Sequence, residues 1–175
     1  MGRSKLVLVA MIFAVAMMFI DQTIVAIAIP ELERDLSLSA TGGQWIVNGY
    51  LLALSALFAL GGRLSDVFGH RRVVLIGVIG FAAASALCGA TPTGDIGEAW
   101  IIAFRVVQGA FAALLFPAAL AIVVAAFDVR ERGKALAIFF AISGALTSVG
   151  PIAGGYLTEW TWRAIFWINV PVAII

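Results

Sequence analysis

Long apolar runs, each interrupted by only a short polar break, constrain this chain more than any other feature. They cover about residues 6–29, 45–65, 73–90, 99–126 and 134–157, and a sixth begins at 164 and runs to 175. A helix rises about 1.5 Å per residue, so roughly 20 residues cross the hydrocarbon of a bilayer. Inside lipid every backbone N–H and C=O must be paired within the protein, which leaves helices or closed barrels. Barrel strands are half as long and alternate apolar with polar residues, and these runs do neither. Hydrophobic residues make up 63% of the 175 and charged residues 12%, too apolar a balance for a water-soluble domain. The expected fold is therefore all-α, a polytopic membrane helix bundle with five full spans and an incomplete sixth over 164–175. The first run is not read as a cleaved signal peptide, because no small-residue cleavage box ends it and further spans follow.

The charges divide between the two sides. Segments 1–5, 63–72 and 127–134 would share one side and hold Arg3, Lys5, Arg63, Arg71, Arg72, Arg130, Arg132 and Lys134. Segments 30–44, 91–98 and 158–163 would share the other. They hold only Arg34 and Arg163 as bases, beside Glu31, Glu33, Asp35, Asp95, Glu98 and Glu159. Basic residues favour the inner side, so the N-terminus is expected in the cytoplasm of a multi-pass cell-membrane protein. Bases in short turns at that surface suit anionic membrane lipid, not nucleic acid. Trp45, Trp100, Trp160, Trp162 and Trp167 fall near span boundaries, where their amphipathic rings are favoured.

Polar groups within the spans stand out against this background. Asp21 lies about eight residues from the outer end of the first run, and Arg105 enters the fourth from the same side. A bare charge is costly at such depth, so each needs protein, water or a partner. A direct or water-bridged pair is the simplest arrangement. Gln108 falls one turn beyond Arg105 on nearly the same face. Gln22, Thr23, Asn48 and Asn169 are weaker candidates, lining a cavity or bonding between helices. The stretch Gly150-Pro151-Ile152-Ala153-Gly154-Gly155 would end a helix in water. Within a span it reads as a bend or a close helix contact. Gly62 to Arg72 joins the second and third spans, with Gly69 suited to a turn and Asp66 to pairing with a base. It lacks the order of a phosphate-binding loop. The lone His70 and the lone Cys88 make no metal set, and Cys88 reads as a small packing residue. No catalytic cluster accompanies Asp21 and Arg105, so an enzyme is not expected.

These motifs, in this order, resemble the N-terminal half of a major facilitator superfamily transporter. More narrowly they resemble the fourteen-helix drug:proton antiporters, the multidrug exporters related to EmrB and QacA. The resemblance rests on Asp21 to Pro30, Gly62 to Arg72, Arg105-Val106-Val107-Gln108-Gly109, Gly150 to Gly155 and Trp162 to Pro171. It implies a six-helix half with the sixth helix truncated, to be completed by a second, C-terminal bundle. It implies proton coupling and a central cavity at Asp21, Arg105, Gln108, Gln22 and Asn48. A cytoplasmic gate would involve Gly62, Asp66, Gly69, Arg71, Arg72 and Arg130. Gly150, Pro151, Gly154 and Gly155 would shape the fifth helix for exchange. The partners implied are a small-molecule substrate and protons, with the proton gradient as energy source and no cofactor. The cargo would be a lipophilic or cationic drug; another small solute, such as a sugar, amino acid or metabolite, is the alternative. The chain departs from the family pattern at Val67 and His70, where basic residues are usual, and at Leu146, where a glycine is usual.

Overall fold

A computed structural model describes residues 2–174. The helices are α1 (Arg3–Leu36), α2 (Gly42–Phe68), α3 (His70–Gly89), α4 (Gly97–Ala126), α5 (Val129–Leu146), α6 (Val149–Trp160), α7 (Ala164–Trp167) and α8 (Asn169–Val172), with no strand among the described residues. The first four are each long and apolar enough to cross a membrane, and α5 with α6 forms a fifth such span. The chain is a multi-pass membrane helix bundle.

The element ends differ from the sequence expectation in informative ways. Residues 30–36 belong to α1, although Pro30 and the charges around it read as a loop. The apolar stripe continues beneath those charges, with Val25, Ala28, Leu32 and Leu36 all buried. Leu32 and Leu36 join a cluster with Ile101, Trp162, Ile165 and Phe166, and that burial carries the helix past the proline. The helix stops at Ser37, whose φ of 50° places it in the left-handed region, with its N–H bonded to the Glu33 carbonyl. Gly62 to Arg72 is not a loop. Gly69 alone interrupts the helix, with φ 91°, a conformation that side-chain-bearing residues rarely adopt. The fifth run begins five residues earlier than expected, at Val129, and is broken at Thr147–Ser148. The run from 164 is two short helices rather than one continuous start.

Helix α4 is the centre of the bundle, packing on α1, α2 and α3. Its buried face is rich in small residues, Gly109, Ala112, Ala113, Ala118 and Ala119. Small residues let helix backbones approach where lipid supplies no hydrophobic drive for association. At the crossing with α2 the approach is backbone to backbone. A side chain at Gly61 would overlap the Ala113 carbonyl, and one at Gly109 would overlap the Tyr50 carbonyl. The neighbouring Gly62 makes no such approach, since a Cβ there would meet Pro117 at an ordinary 3.7 Å. Outward faces carry large apolar side chains such as Ile79, Ile152 and Tyr156, as a lipid-facing surface requires.

Two apolar clusters fill the interior. One, at the end bearing the basic turns, includes Leu8, Val15, Met18, Phe81, Leu115 and Phe139. The other, at the opposite end, includes Ile24, Leu32, Ile46, Ile101 and Phe166. The far end is fastened by polar contacts. Trp162 Nε1 donates to Asp35 Oδ2 at 2.7 Å, and Arg163 donates to the carbonyls of Gly89 and Thr91 at 3.1 and 2.6 Å. Glu98 accepts from the backbone N–H and hydroxyl of Ser39 at 2.6 and 2.8 Å. Trp162 is thus buried within the bundle and does not stand free at the membrane interface.

The α2–α4 crossing yields a test one residue wide. In the full-length protein, Gly61→Ala should destabilise by about 1–3 kcal/mol, the usual cost of overpacking. Gly62→Ala should be neutral or stabilising by up to about 1 kcal/mol through helix propensity. Denaturant unfolding in detergent of the two variants beside the parent checks the difference.

Candidate functional site

Between the two apolar clusters lies a buried polar layer centred on Asp21. Asp21 has no exposed surface and Arg105 is 1% exposed. Arg105 Nη1 donates to Asp21 Oδ2 at 2.5 Å, so the expected pair is direct. Gln108 Nε2 donates to Asp21 Oδ1 at 2.9 Å, and Asn169 Nδ2 donates to the same oxygen at 2.9 Å. Every one of these groups is a donor, the set that an ionised carboxylate, which only accepts, requires.

The neighbours of Asp21 are themselves held. Arg105 Nη1 also donates to Gln108 Oε1 at 2.7 Å, and Arg105 Nε donates to the Ile46 carbonyl at 3.1 Å. The guanidinium carbon sits 4.3 Å from the centre of the Tyr50 ring, within cation–π range. Asn169 gives its second bond to Ser85 Oγ at 2.9 Å, and Ser85 donates to the Phe166 carbonyl at 2.8 Å. The layer therefore ties α1, α2, α3, α4, α7 and α8 together. Spacing explains the α4 contribution, since Arg105 and Gln108 are three residues apart and project from one face.

Asp21, Arg105 and Gln108 are brought together, and Asn169 takes a central place that its position among polar candidates did not signal. Ser85 and Tyr50 were not singled out; a serine in an apolar run and an aromatic at helical spacing look like packing. Gln22 is half-buried and adds no bond to Asp21 among the described residues. Asn48 lies apart, exposed on α2 beside an open groove lined by Glu33, Gly43 and Gln44. Asp21, Arg105 and Gln108 face the interior of this bundle, not an open cavity, because neighbouring helices supply every polar partner they need.

At the basic end, the expected gate residues do not form ion pairs. The ion pairs among the described residues are Arg34–Glu31, Arg105–Asp21 and Arg163–Asp35. Asp66, Arg71, Arg72 and Arg130 are all exposed. With α2 running on to Phe68, Asp66 faces a groove shared with His70 and Arg132, while Arg71 and Arg72 line a different one with Val7. His70 is tied to the turn through Ser65, whose Oγ lies 3.1 Å from its Nδ1 and donates to the Gly62 carbonyl at 2.9 Å. Gly150 and Gly154 are buried against α1, and Pro151 and Gly155 are exposed. Cys88 is buried, as expected of a packing residue. No group of acidic, histidine or cysteine side chains among the described residues could hold a metal ion.

The described residues thus form an all-helical, multi-pass bundle with a charged pair sealed in its core. Residues 11–175 match the family model of the Major Facilitator Superfamily, and the chain belongs to that family. It is 44% identical to the puromycin resistance protein of Streptomyces alboniger, over 96% of this chain and 33% of that protein. It is also 44% identical to the tetracenomycin C resistance and export protein of Streptomyces glaucescens, over 99% of this chain and 32% of that one. Multidrug resistance protein Stp of Mycobacterium tuberculosis is 36% identical over 98% of this chain and 32% of its own length. The chain thus spans about a third of these relatives. A bacterial homologue of the human lysosomal transporter Spinster, solved inward-facing and unoccupied, superposes with a TM-score of 0.76 at 18% identity. That match covers 99% of this chain and 43% of the solved one, and shows the shared fold.

The polar layer predicts a particular mutational pattern. Arg105→Met leaves the Asp21 carboxylate buried without its cation and should cost about 3–5 kcal/mol in the full-length protein. Adding Asp21→Asn removes the stranded charge and should recover a large part of that loss. Unfolding of the single and double variants in detergent checks it, and additive losses would contradict a direct pair.

Proposed function

We propose that this chain forms the first helical bundle of a secondary transporter that exports lipophilic or cationic drugs in exchange for protons, as in the fourteen-helix drug:proton antiporters. The observation that carries the reading is a carboxylate, Asp21, buried in a membrane bundle and held by Arg105. Ionisable groups at such depth are costly and commonly serve ion or proton pathways. The relatives named for puromycin resistance, tetracenomycin C export and multidrug resistance support drugs as the cargo class. The distribution of bases supports a cytoplasmic N-terminus, since the Arg- and Lys-bearing turns share one end of the bundle.

In this reading a second bundle packs on the first, and the pair rocks to expose a central site to each side in turn. A proton entering from outside reaches Asp21 when the layer opens and neutralises it. The neutral acid no longer balances Arg105, so the arginine re-pairs and the bundle favours the other access state. A ligand or proton shifts such an equilibrium only through its different affinity for the two states, and the Asp21–Arg105 pair supplies that difference. Asp66, Arg71, Arg72 and Arg130 act at the cytoplasmic end, where a gate would form against the second bundle. The cargo crosses without any bond being broken.

The test uses full-length protein in proteoliposomes with an imposed proton gradient and puromycin or ethidium as probe. Asp21→Asn strands the Arg105 cation and so lowers stability; normalised to folded protein, it should still reduce gradient-driven efflux at least tenfold. Efflux at the parental rate with unchanged proton stoichiometry would sink the proton role of Asp21.

A further inference from the structure

We propose that Thr23 is a releasable latch between the first helix and the break in the fifth span, a positioning residue that seats the break against α1. The argument starts from Pro151. Proline has no backbone N–H, so in a continuous helix it leaves the carbonyl four residues earlier, that of Thr147, without its usual donor. The chain responds by tightening. Thr147, Ser148 and Gly150 each donate to a carbonyl three residues back, at 3.1 Å, a short 3₁₀ stretch between α5 and α6. Such a stretch inside a longer helix commonly marks a hinge.

The Thr147 carbonyl, which accepts the Gly150 N–H in place of the donor that Pro151 lacks, takes a second donor from another helix. Thr23 Oγ1 donates to it at 3.1 Å. The approach is close because Gly150 has no side chain; a Cβ there would overlap the Thr23 hydroxyl. Gly154, one turn along, lets the same face of α6 lie against Ile24. Thr23 therefore binds the carbonyl that Pro151 deprives of its usual donor four residues on, at a place where Gly150 makes room for its hydroxyl.

What makes the contact releasable is that neither partner is stranded when it opens. The Thr23 hydroxyl also lies 3.1 Å from the Ile20 carbonyl and 3.4 Å from that of Phe19, within its own helix. Its single proton can turn back to α1 by rotation of the hydroxyl about the Cβ–Oγ1 bond. Thr147 O keeps the Gly150 N–H. An unpaired polar group is what ordinarily makes a buried contact expensive to break, and here that cost is removed on both sides. Thr23 stands two residues from Asp21, so the latch joins the polar layer to α5 and α6, which take no part in that layer. The inference does not depend on the cargo or on which ion drives transport.

The test is hydrogen–deuterium exchange of the full-length protein in detergent, read on peptides covering 143–157. Thr23→Val keeps the shape and removes the hydroxyl, and should speed exchange there at least fivefold. Thr23→Ser keeps the hydroxyl and should stay within twofold of the parent. Pro151→Ala returns an N–H to the Thr147 carbonyl, so adding Thr23→Val to it should change exchange by less than twofold. A change below fivefold in Thr23→Val, an equal change in Thr23→Ser, or a further acceleration in the double variant would each overturn the proposal. If valine alone prevents folding, the double variant should fold, and its failure to do so would overturn the proposal as well.

Discussion

The structure depends on one interaction, the buried contact of Asp21 with Arg105. A carboxylate in an apolar interior is tolerated only when paired and fully hydrogen-bonded. Meeting that demand recruits Gln108 from the same helix as Arg105 and Asn169 from α8, and through Asn169 it recruits Ser85 from α3. The charge thus sets where four separate pieces of chain must meet. An apolar layer at the same level would make no directional demand, whereas here each donor that reaches Asp21 is aimed at one of its two oxygens.

The rest of the bundle follows from that fixed level. Apolar clusters close over the layer on both sides, which keeps water out and strengthens the electrostatics within. Close backbone crossings at Gly61 and Gly109 hold α2 and α4 together, with Tyr50 on α2 covering the guanidinium. The opposite end from the basic turns is cross-braced by Trp162, Arg163, Asp35 and Glu98. The basic end carries no ion pair among the described residues.

Much of this was legible in the sequence. The spans were readable because their apolar runs are long, and the charged pair because two lone charges stood at similar depth in different runs. The ends of the helices were less readable. Glu31, Arg34 and Asp35 look like a loop, and only the spacing of Val25, Ala28, Leu32 and Leu36 shows that the helix goes on. Asn169 is chemically unremarkable among several polar residues, and its importance comes from a fold that carries it 148 positions back to Asp21. The choice of Gly61 over Gly62 for the close crossing depends on helix rotation, which a run of two glycines does not fix. Exposure of Asn48 and burial of Asp21 were likewise matters of rotation about the helix axis.

If Asp21 is both the structural hub and the proton site, its carboxyl must change state between access conformations. Isotope-edited difference infrared spectroscopy on the full-length protein, with labelled aspartate, reads this directly. The account predicts a protonated-carboxyl band that grows as pH is lowered under transport conditions and is missing in Asp21→Asn. The absence of any band depending on Asp21, across the whole pH range in which the protein transports, would contradict it.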